Sequence, residues 1–388
     1  MNKNILHHTC NFEWRQHNHF RLLIDGQQFY PDILQRIREA RQFIYMEMYL
    51  MESGHISSRF IDALRQASQN NVLVYLLLDA YGSQQLSQSD QQHLLDQGIK
   101  LCLYNPLQYQ KLKRNLFRDH RKLILIDGET AYTGGAGITD AFDNIQHPTR
   151  YWHDAMVRIE GECVTDWQHL FENNWQRWSD IQLPAFARKP VSNTLTQSGR
   201  VVESRSIRNS EAIRSFIQHI RHSKQKTWLA TAYFIPSRKI RRALCKSAKR
   251  GTDVRLLLPG PYSDHPWTRH MGQHYYSHLL KNGVRIFEFQ PRFQHIKMLL
   301  CDRWVSIGSS NFDRWNFRWN LEANQEINDS DFASDVCRQF ESDFSESTEI
   351  LKYQWQQRPL GTKLKIWFWS RVASLLSHFS YNRRENSD

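Results

Sequence analysis

Apolar runs and polar gaps follow one order along this chain, and the order occurs twice. FIYMEMYL at 43–50 is a β-rich apolar run. Helical spacing of Ile56, Phe60, Ile61 and Leu64 follows at about 55–68. VLVYLLLD at 72–79 reads as a buried strand, and a polar helix leads to the short strand KLCLY at 100–104. In the second half, TWLATAYF (227–234) takes the place of the first strand, and a helix at 237–250 carries Ile240, Ala243 and Leu244. DVRLLLP (253–259) is the buried strand, 268–282 the next helix and VRIFEF (284–289) the short strand. Strands alternating with helices predict parallel β/α units. The fold class is therefore α/β, in two similar halves at 18–180 and 200–346. Two prolines and many small polar residues mark 179–199 as the linker.

A third element is a basic amphipathic tail at 360–388. After Pro359 and Gly361, Thr362 is placed to cap a helix running to about 379, with Phe368, Val372, Leu375, Leu376 and Phe379 on one face. Trp367 and Trp369 flank that face, and Lys363, Lys365, Arg371, Arg383 and Arg384 add charge. The pattern fits an interfacial helix on a membrane and equally a terminal helix docked on the protein body. No stretch of 18 apolar residues occurs to span a bilayer, and MNKNILHHTC lacks the apolar core of a signal peptide.

Composition narrows the function classes. With 40% hydrophobic and 13% aromatic residues the chain builds a packed interior, which excludes a disordered chain. The net charge of +12 favours a polyanionic partner, nucleic acid or an anionic membrane surface. The six cysteines are dispersed, without C-x-x-C or zinc spacing, and read as reduced thiols; no metal site is expected.

The chemistry is in a doubled motif. HRKLILID at 120–127 and HIKMLLCD at 295–302 both have the form H-x-K-x-x-x-x-D, giving His120, Lys122 and Asp127, and His295, Lys297 and Asp302. Two His–Lys pairs in one chain predict a single active site with two-fold pseudo-symmetry. In a strand, residues two apart share a face, so each histidine and its lysine point the same way. The motif counts Asp127 and Asp302 with the catalytic set. Strand geometry argues for a structural role, because each lies an odd seven residues from its histidine and Asp127 precedes a turn glycine, Gly128.

Two lysines facing one pocket would hold a phosphate. One neutral imidazole would attack phosphorus, and the other, protonated, would donate to the leaving oxygen. Each ring needs an orienting partner on its second nitrogen. Carboxylates stand downstream in both halves: Asp154 is 154 − 120 = 34 residues after its histidine, and Glu322 is 322 − 295 = 27 after the other. Small-residue turns follow each motif, TGGAG (133–137) and GSSN (308–311). They make Gly134, Gly135, Ser309 and Asn311 phosphate-binding candidates.

The duplicated motif, with GG and GSSN after it, resembles the phospholipase D superfamily. GSSNFDRWNFRWNLEANQEI (308–327) and WHDAMVRIEG (152–161) are similar to the bacterial cardiolipin synthases of that superfamily, and the subgroup without N-terminal membrane spans fits best. The likeness runs over about 18–346. It implies two α/β halves with one site at their interface and a phosphohistidine intermediate, with no metal or cofactor. His120 and His295 would be the catalytic pair, Lys122 and Lys297 would bind phosphate, and Asp154 and Glu322 would support the histidines. There is one departure: these synthases carry GG-x-N in the first half, where this chain has Gly134, Gly135, Ala136 and Gly137.

The implied reaction is phosphatidyl transfer to the glycerol hydroxyl of phosphatidylglycerol, forming cardiolipin. Partners would be phospholipids (phosphatidylglycerol, with phosphatidylethanolamine as a second candidate) and an anionic membrane surface, with no nucleic acid. Trp304, Phe312, Trp315, Phe317 and Trp319 suit lipid contact, with core packing as their other reading. The expected location is peripheral, on the cytoplasmic face of a bacterial membrane. The competing readings are a hydrolase of the same superfamily (phospholipase or nuclease), a phosphatidylserine synthase, and a non-catalytic lipid-binding scaffold.

Overall fold

The structure is a computed structural model that describes residues 12–108, 114–143, 151–186, 191–205, 211–313 and 319–381, the last nine of these by backbone alone. Trp315, Phe317, Arg383 and Arg384, and the side chains of Leu375, Leu376 and Phe379, lie outside the described residues.

One mixed sheet runs through the molecule and repeats its strand order. In the first half, β1 (Arg15–Ile24), β2 (Phe43–Met48), β3 (Leu73–Asp79) and β4 (Lys100–Tyr104) are followed by β5 (Arg118–Asp119), β6 (Lys122–Ile126), β7 (Thr130–Gly134) and β8 (Ala155–Gly161). The second half holds β9 (Gln197–Ser204), β10 (Lys226–Ala230), β11 (Asp253–Pro259), β12 (Arg285–Phe289), β13 (Met298–Cys301), β14 (Trp304–Gly308), β15 (Asn320–Asn328) and β16 (Ser347–Glu349). The spatial order is β1-β8-β7-β6-β2-β3-β4 on one side and β9-β15-β14-β13-β10-β11-β12-β16 on the other. The two sets join where β1 pairs antiparallel with β9, Arg15 opposite Gly199 and Asn18 opposite Gln197.

Along the main sheet β2-β3-β4 and β10-β11-β12 are parallel, and the two-residue β5 adds a parallel pairing to β15 of the other half. The parallel units predicted from the alternating strands and helices are these; the doubled motifs form hairpins, β6-β7 and β13-β14, the first at the turn glycine Gly128, and these add antiparallel strands to each half. Three boundaries also differ. The strand expected at 227–234 ends at Ala230, the helix expected at 268–282 is two helices, Pro266–Gln273 and Tyr276–Lys281, and the linker runs into β9 at Gln197.

Helices cover both faces, which is why β2 is buried at all six positions. On one face of the first half, Phe29, Ile33, Phe60 and Leu64 pack over Ile44, Met46 and Leu76. On the other face, Trp167, Phe171 and Trp175 of the helix Cys163–Trp178 pack over Tyr45 and Tyr75. That second cluster continues into Trp228, Phe340 and Phe344 of the second half, so the two halves share one core. Burial of this size is the main stabilising term of the fold. Trp304 and Phe312 belong to a further cluster in the second half, where Phe312 stacks on Phe216 and Trp304 on His219; they pack the core and do not reach lipid.

The C-terminal helix spans Leu360–Tyr381 and so begins before Thr362. Ile366 is its buried contact, and Trp369 lies against Trp267 of the helix Pro266–Gln273. The face toward solvent carries Leu360, Leu364, Trp367 and Phe368.

Candidate active site

Each histidine sits just before the first strand of its hairpin, and its backbone is held by the opposite half. The His120 N–H donates to Leu321 O at 3.0 Å, and the His295 N–H donates to His153 O at 2.7 Å. Each of these carbonyls immediately precedes a carboxylate residue. The side chains therefore cross over: His120 Nδ1 lies 3.2 Å from Glu322 Oε2, and His295 Nδ1 lies 2.7 Å from Asp154 Oδ2. The sequence order had set each carboxylate beside the histidine of its own half. The fold gives it to the other one.

The lysines are placed alike. Lys122 Nζ donates to His120 O and Lys297 Nζ to His295 O, each at 2.7 Å. Lys297 Nζ also lies 3.0 and 3.1 Å from the two ring nitrogens of His295. Both ammonium groups are buried, and Asp154 and Glu322 have no exposed surface.

This burial sets the protonation states. Desolvation, with Lys122 and Lys297 nearby, holds His120 well below the ordinary histidine value. Desolvation and Lys297 bring His295 down to about 4, against the pull of Asp154. Both rings are thus neutral in the free protein. Burial pushes Glu322 up to about 8, opposed by Lys122, and brings Lys122 down to about 7, opposed by Glu322. A proton passing between these two leaves their summed charge unchanged, and an anion bound against Lys122 favours its ammonium form.

Asp127 and Asp302 stand apart from this group. Asp127 accepts from the backbone N–H groups of Arg41, Gln42 and Phe43 at 2.8, 2.8 and 3.0 Å. Asp302 accepts from Lys224, Gln225 and Lys226, each at 2.9 Å. Both occupy left-handed turns, with φ of 55° and 54°, a conformation that Asp tolerates better than most residues. The strands β6, of five residues, and β13, of four, lie between each and its histidine. Their place in the catalytic set is therefore corrected: they tie each hairpin to the start of the neighbouring strand.

Three of the four phosphate candidates bond within the protein. Gly134 lies in the β7–β8 ladder, and the Gly135 N–H donates to Ala155 O. A Cβ on Gly135 would fall 2.4 and 2.5 Å from the two carboxylate oxygens of Asp154. Its missing side chain makes room for the group that orients His295. Ser309 gives its N–H and hydroxyl to Ala323 O. Asn311 differs: it is buried, and neither its Oδ1 nor its Nδ2 has a partner among the described residues. The matching turns place Gly137 where the second half has Asn311, since Gly135 N–H bonds Ala155 O as Ser309 N–H bonds Ala323 O. An amide donor is present on one side only.

The sequence reading passed over His153. This ring is buried between Asp25 and Asp343, with Nδ1 2.8 Å from Asp25 Oδ1 and Nε2 3.0 Å from Asp343 Oδ1. Arg292 pairs with Asp25 beside it. Burial opposes a charge here, yet Asp343 and Asp25 carry the imidazole up to about 9. The charged ring clamps the backbone that holds both Asp154 and His295. Its position before Asp154 in WHD was the available signal. Around His295, Trp152, Phe142, Phe293 and Tyr233 stand with ring centroids at 5.0, 5.5, 5.5 and 6.4 Å, while Tyr49 lies 4.7 Å from His120. Among the described residues no group of three or more His, Cys, Asp or Glu could hold a metal ion.

A doubled α/β sheet with a His–Lys pair from each half defines the class, a phospholipase D-type fold with one composite site. The fold is shared with the phosphatidylserine synthase of Haemophilus influenzae, at a TM-score of 0.72 and 14% identity over 92% of this chain and 93% of that one. Among curated proteins, the chain is 30% identical to cardiolipin synthase 1 of Bacillus anthracis, over 92% of its own length and 72% of that protein. It is 29% identical to cardiolipin synthase A of Pseudomonas fluorescens, over 93% and 74%. The family described as cardiolipin synthase, PLD-like domain matches residues 33–175 and 216–344, and the chain belongs to that family.

Proposed function

We propose that this protein is a phosphatidyltransferase that makes cardiolipin, with residues 18–180 and 200–346 as its two catalytic domains. The phosphatidyl group of one phosphatidylglycerol passes to the glycerol hydroxyl of a second. The carrying observation is the crossed pair, His120 with Glu322 and His295 with Asp154, each carboxylate on Nδ1, with Lys297 Nζ 3.1 Å from His295 Nε2, where a bound phosphate would draw the ammonium to itself.

His120 is assigned the attack. Its support, Glu322, is pushed up to about 8, so that carboxylate is poorly suited to holding a cation on the ring. His295 has the tighter partner, Asp154 at 2.7 Å. A phosphodiester anion against the lysines offsets the charge of Lys297 that depresses His295, and His295 then takes up its proton. As the His120 Nε2–P bond forms, the P–O bond to the first glycerol breaks, and His295 protonates the leaving oxygen. In the second step His295 accepts the proton of the incoming hydroxyl, whose oxygen attacks phosphorus and releases His120. Asn311, buried with its amide unpartnered among the described residues, is assigned as a donor to the phosphate.

The aromatic surround of His295 supports transfer over hydrolysis, because an apolar setting for the ring that activates the acceptor favours a lipid alcohol over water. We place the enzyme peripherally on the cytoplasmic face of the membrane. The charge of +12 supports this, and no helix among the described residues is long and apolar enough to cross a membrane. The test is incubation with vesicles of labelled phosphatidylglycerol. Cardiolipin with release of glycerol is the expected product pair. Phosphatidic acid alone would make the enzyme a hydrolase, and no product would remove the catalytic reading.

A further inference from the structure

We propose that the outer face of the C-terminal helix, with Trp267 beside it, is a docking surface for an anionic phospholipid bilayer and marks the side from which lipid reaches His295. At about 100° per residue, Leu360, Leu364, Trp367 and Phe368 fall within one stripe of the helix. All four are exposed, at 75%, 66%, 57% and 54%. A terminal helix that merely docked on the body would turn its largest apolar residues inward. Here Ile366 and Trp369 make the docking contact, and the larger apolar stripe faces out.

Charge selects the occupant. Lys363 and Lys365 fall on opposite edges of the stripe, and Arg371 lies within it, over Trp367. Between Leu351 and Arg384 the sequence has seven Lys or Arg and no Asp or Glu. A second copy of this face would bring like charges together, whereas an anionic surface is complementary to it. Apolar side chains sunk to the acyl boundary, with lysines at headgroup level on both edges, is the arrangement of an interfacial helix.

The stripe also connects to the chemistry. Trp369 lies 6.4 Å from Trp267, Trp267 4.8 Å from His265, His265 6.0 Å from Tyr233, and Tyr233 6.4 Å from His295 by ring centroids. This aromatic chain gives a lipid tail a continuous wall from the bilayer side to the catalytic ring.

The test uses the full chain and the double variant Trp367→Glu/Phe368→Glu, with thermal melting to confirm that both are folded. Cosedimentation with vesicles of phosphatidylglycerol and phosphatidylcholine should show at least a tenfold loss of binding in the variant. Wild-type binding should fall on raising salt and be weak on pure phosphatidylcholine. Equal binding by the two proteins would overturn the proposal. So would a wild type that ignores vesicles and sediments as a dimer which the variant splits, since the stripe would then be a contact between copies. A second arm, which alone rests on the lipid-transferase reading, compares turnover on vesicles with turnover on monodisperse short-chain phosphatidylglycerol. That ratio should fall at least tenfold. Weaker vesicle binding by the variant with no cardiolipin from either protein would sink the transferase reading and leave the docking surface standing.

Discussion

His120 and Glu322 stand 202 residues apart in the chain, and their side chains meet at 3.2 Å. The contact follows from a backbone bond beside it, His120 N–H to Leu321 O, and is mirrored by His295 with Asp154. Neither half holds both a catalytic histidine and the carboxylate that orients it.

Loss of either ring should stop turnover. His120→Asn and His295→Asn are each expected to lower kcat by about 10³-fold or more. Acid-quenched wild-type enzyme should carry phosphate on the peptide containing His120. Phosphate on His295 alone would reverse the two roles while leaving the mechanism intact.

The crossed carboxylates give a sharper outcome. Glu322→Gln should slow formation of the phosphohistidine, and Asp154→Asn should slow proton transfer to the leaving glycerol. Double-mutant cycles on residual activity should couple His120 to Glu322 and His295 to Asp154. Coupling within each half instead would contradict the geometry.

Gly135→Ala tests the site without removing a functional group. The new methyl would lie 2.4 and 2.5 Å from the oxygens of Asp154, so the carboxylate must move. Activity should fall about 100-fold, as for other small displacements of catalytic groups. The melting temperature should change far less than for a core truncation. Near wild-type kcat would show that Asp154 tolerates the shift.

Asp127→Ala should act on stability. It removes three charge-assisted bonds and puts alanine at a φ of 55°, for a loss of about 3 kcal/mol. Denaturant melts would read that loss, and kcat of the folded enzyme should stay within a few-fold of wild type. A large fall in kcat at unchanged stability would return Asp127 to the catalytic set.

pH separates His153 from His295. The value of His153 is raised to about 9 in the folded state, so its stabilisation is full below about 6.5 and is lost as pH rises toward 9. The value of His295 is lowered to about 4, so it favours folding above about 6.5 and loses that contribution as pH falls toward 4. His153→Gln should therefore cost about 3 kcal/mol more at pH 6 than at pH 9.5. A penalty independent of pH would mean that the ring is neutral.

The strands and helices could be read from the sequence wherever a period was clear, as in VLVYLLLD and DVRLLLP. The first hairpin was legible at Asp127-Gly128, and the second was harder, because LLCD is followed by Arg303 and looks like any buried strand until Asp302 is seen in a left-handed turn. His–Lys pairing was legible because strand geometry fixes it locally. The carboxylate partners were not, since they depend on which strands meet across β1–β9. His153 was hidden for the same reason: Asp25 and Asp343 lie far from it in sequence. In the tail, both readings stayed open because Phe368 and Val372 fit a helical period whichever side packs.

The crossed support also has an evolutionary reading. A single half, expressed alone, would have its histidine without an orienting acid, and could regain one only by pairing with a second copy. A chain in which both copies are fused is released from that symmetry. Each half need only serve its neighbour, so the two can drift apart: aspartate on one side and glutamate on the other, Gly137 opposite Asn311. Fusion turns two equal subunits into a division of labour, with one ring free to specialise in attack and the other in moving protons.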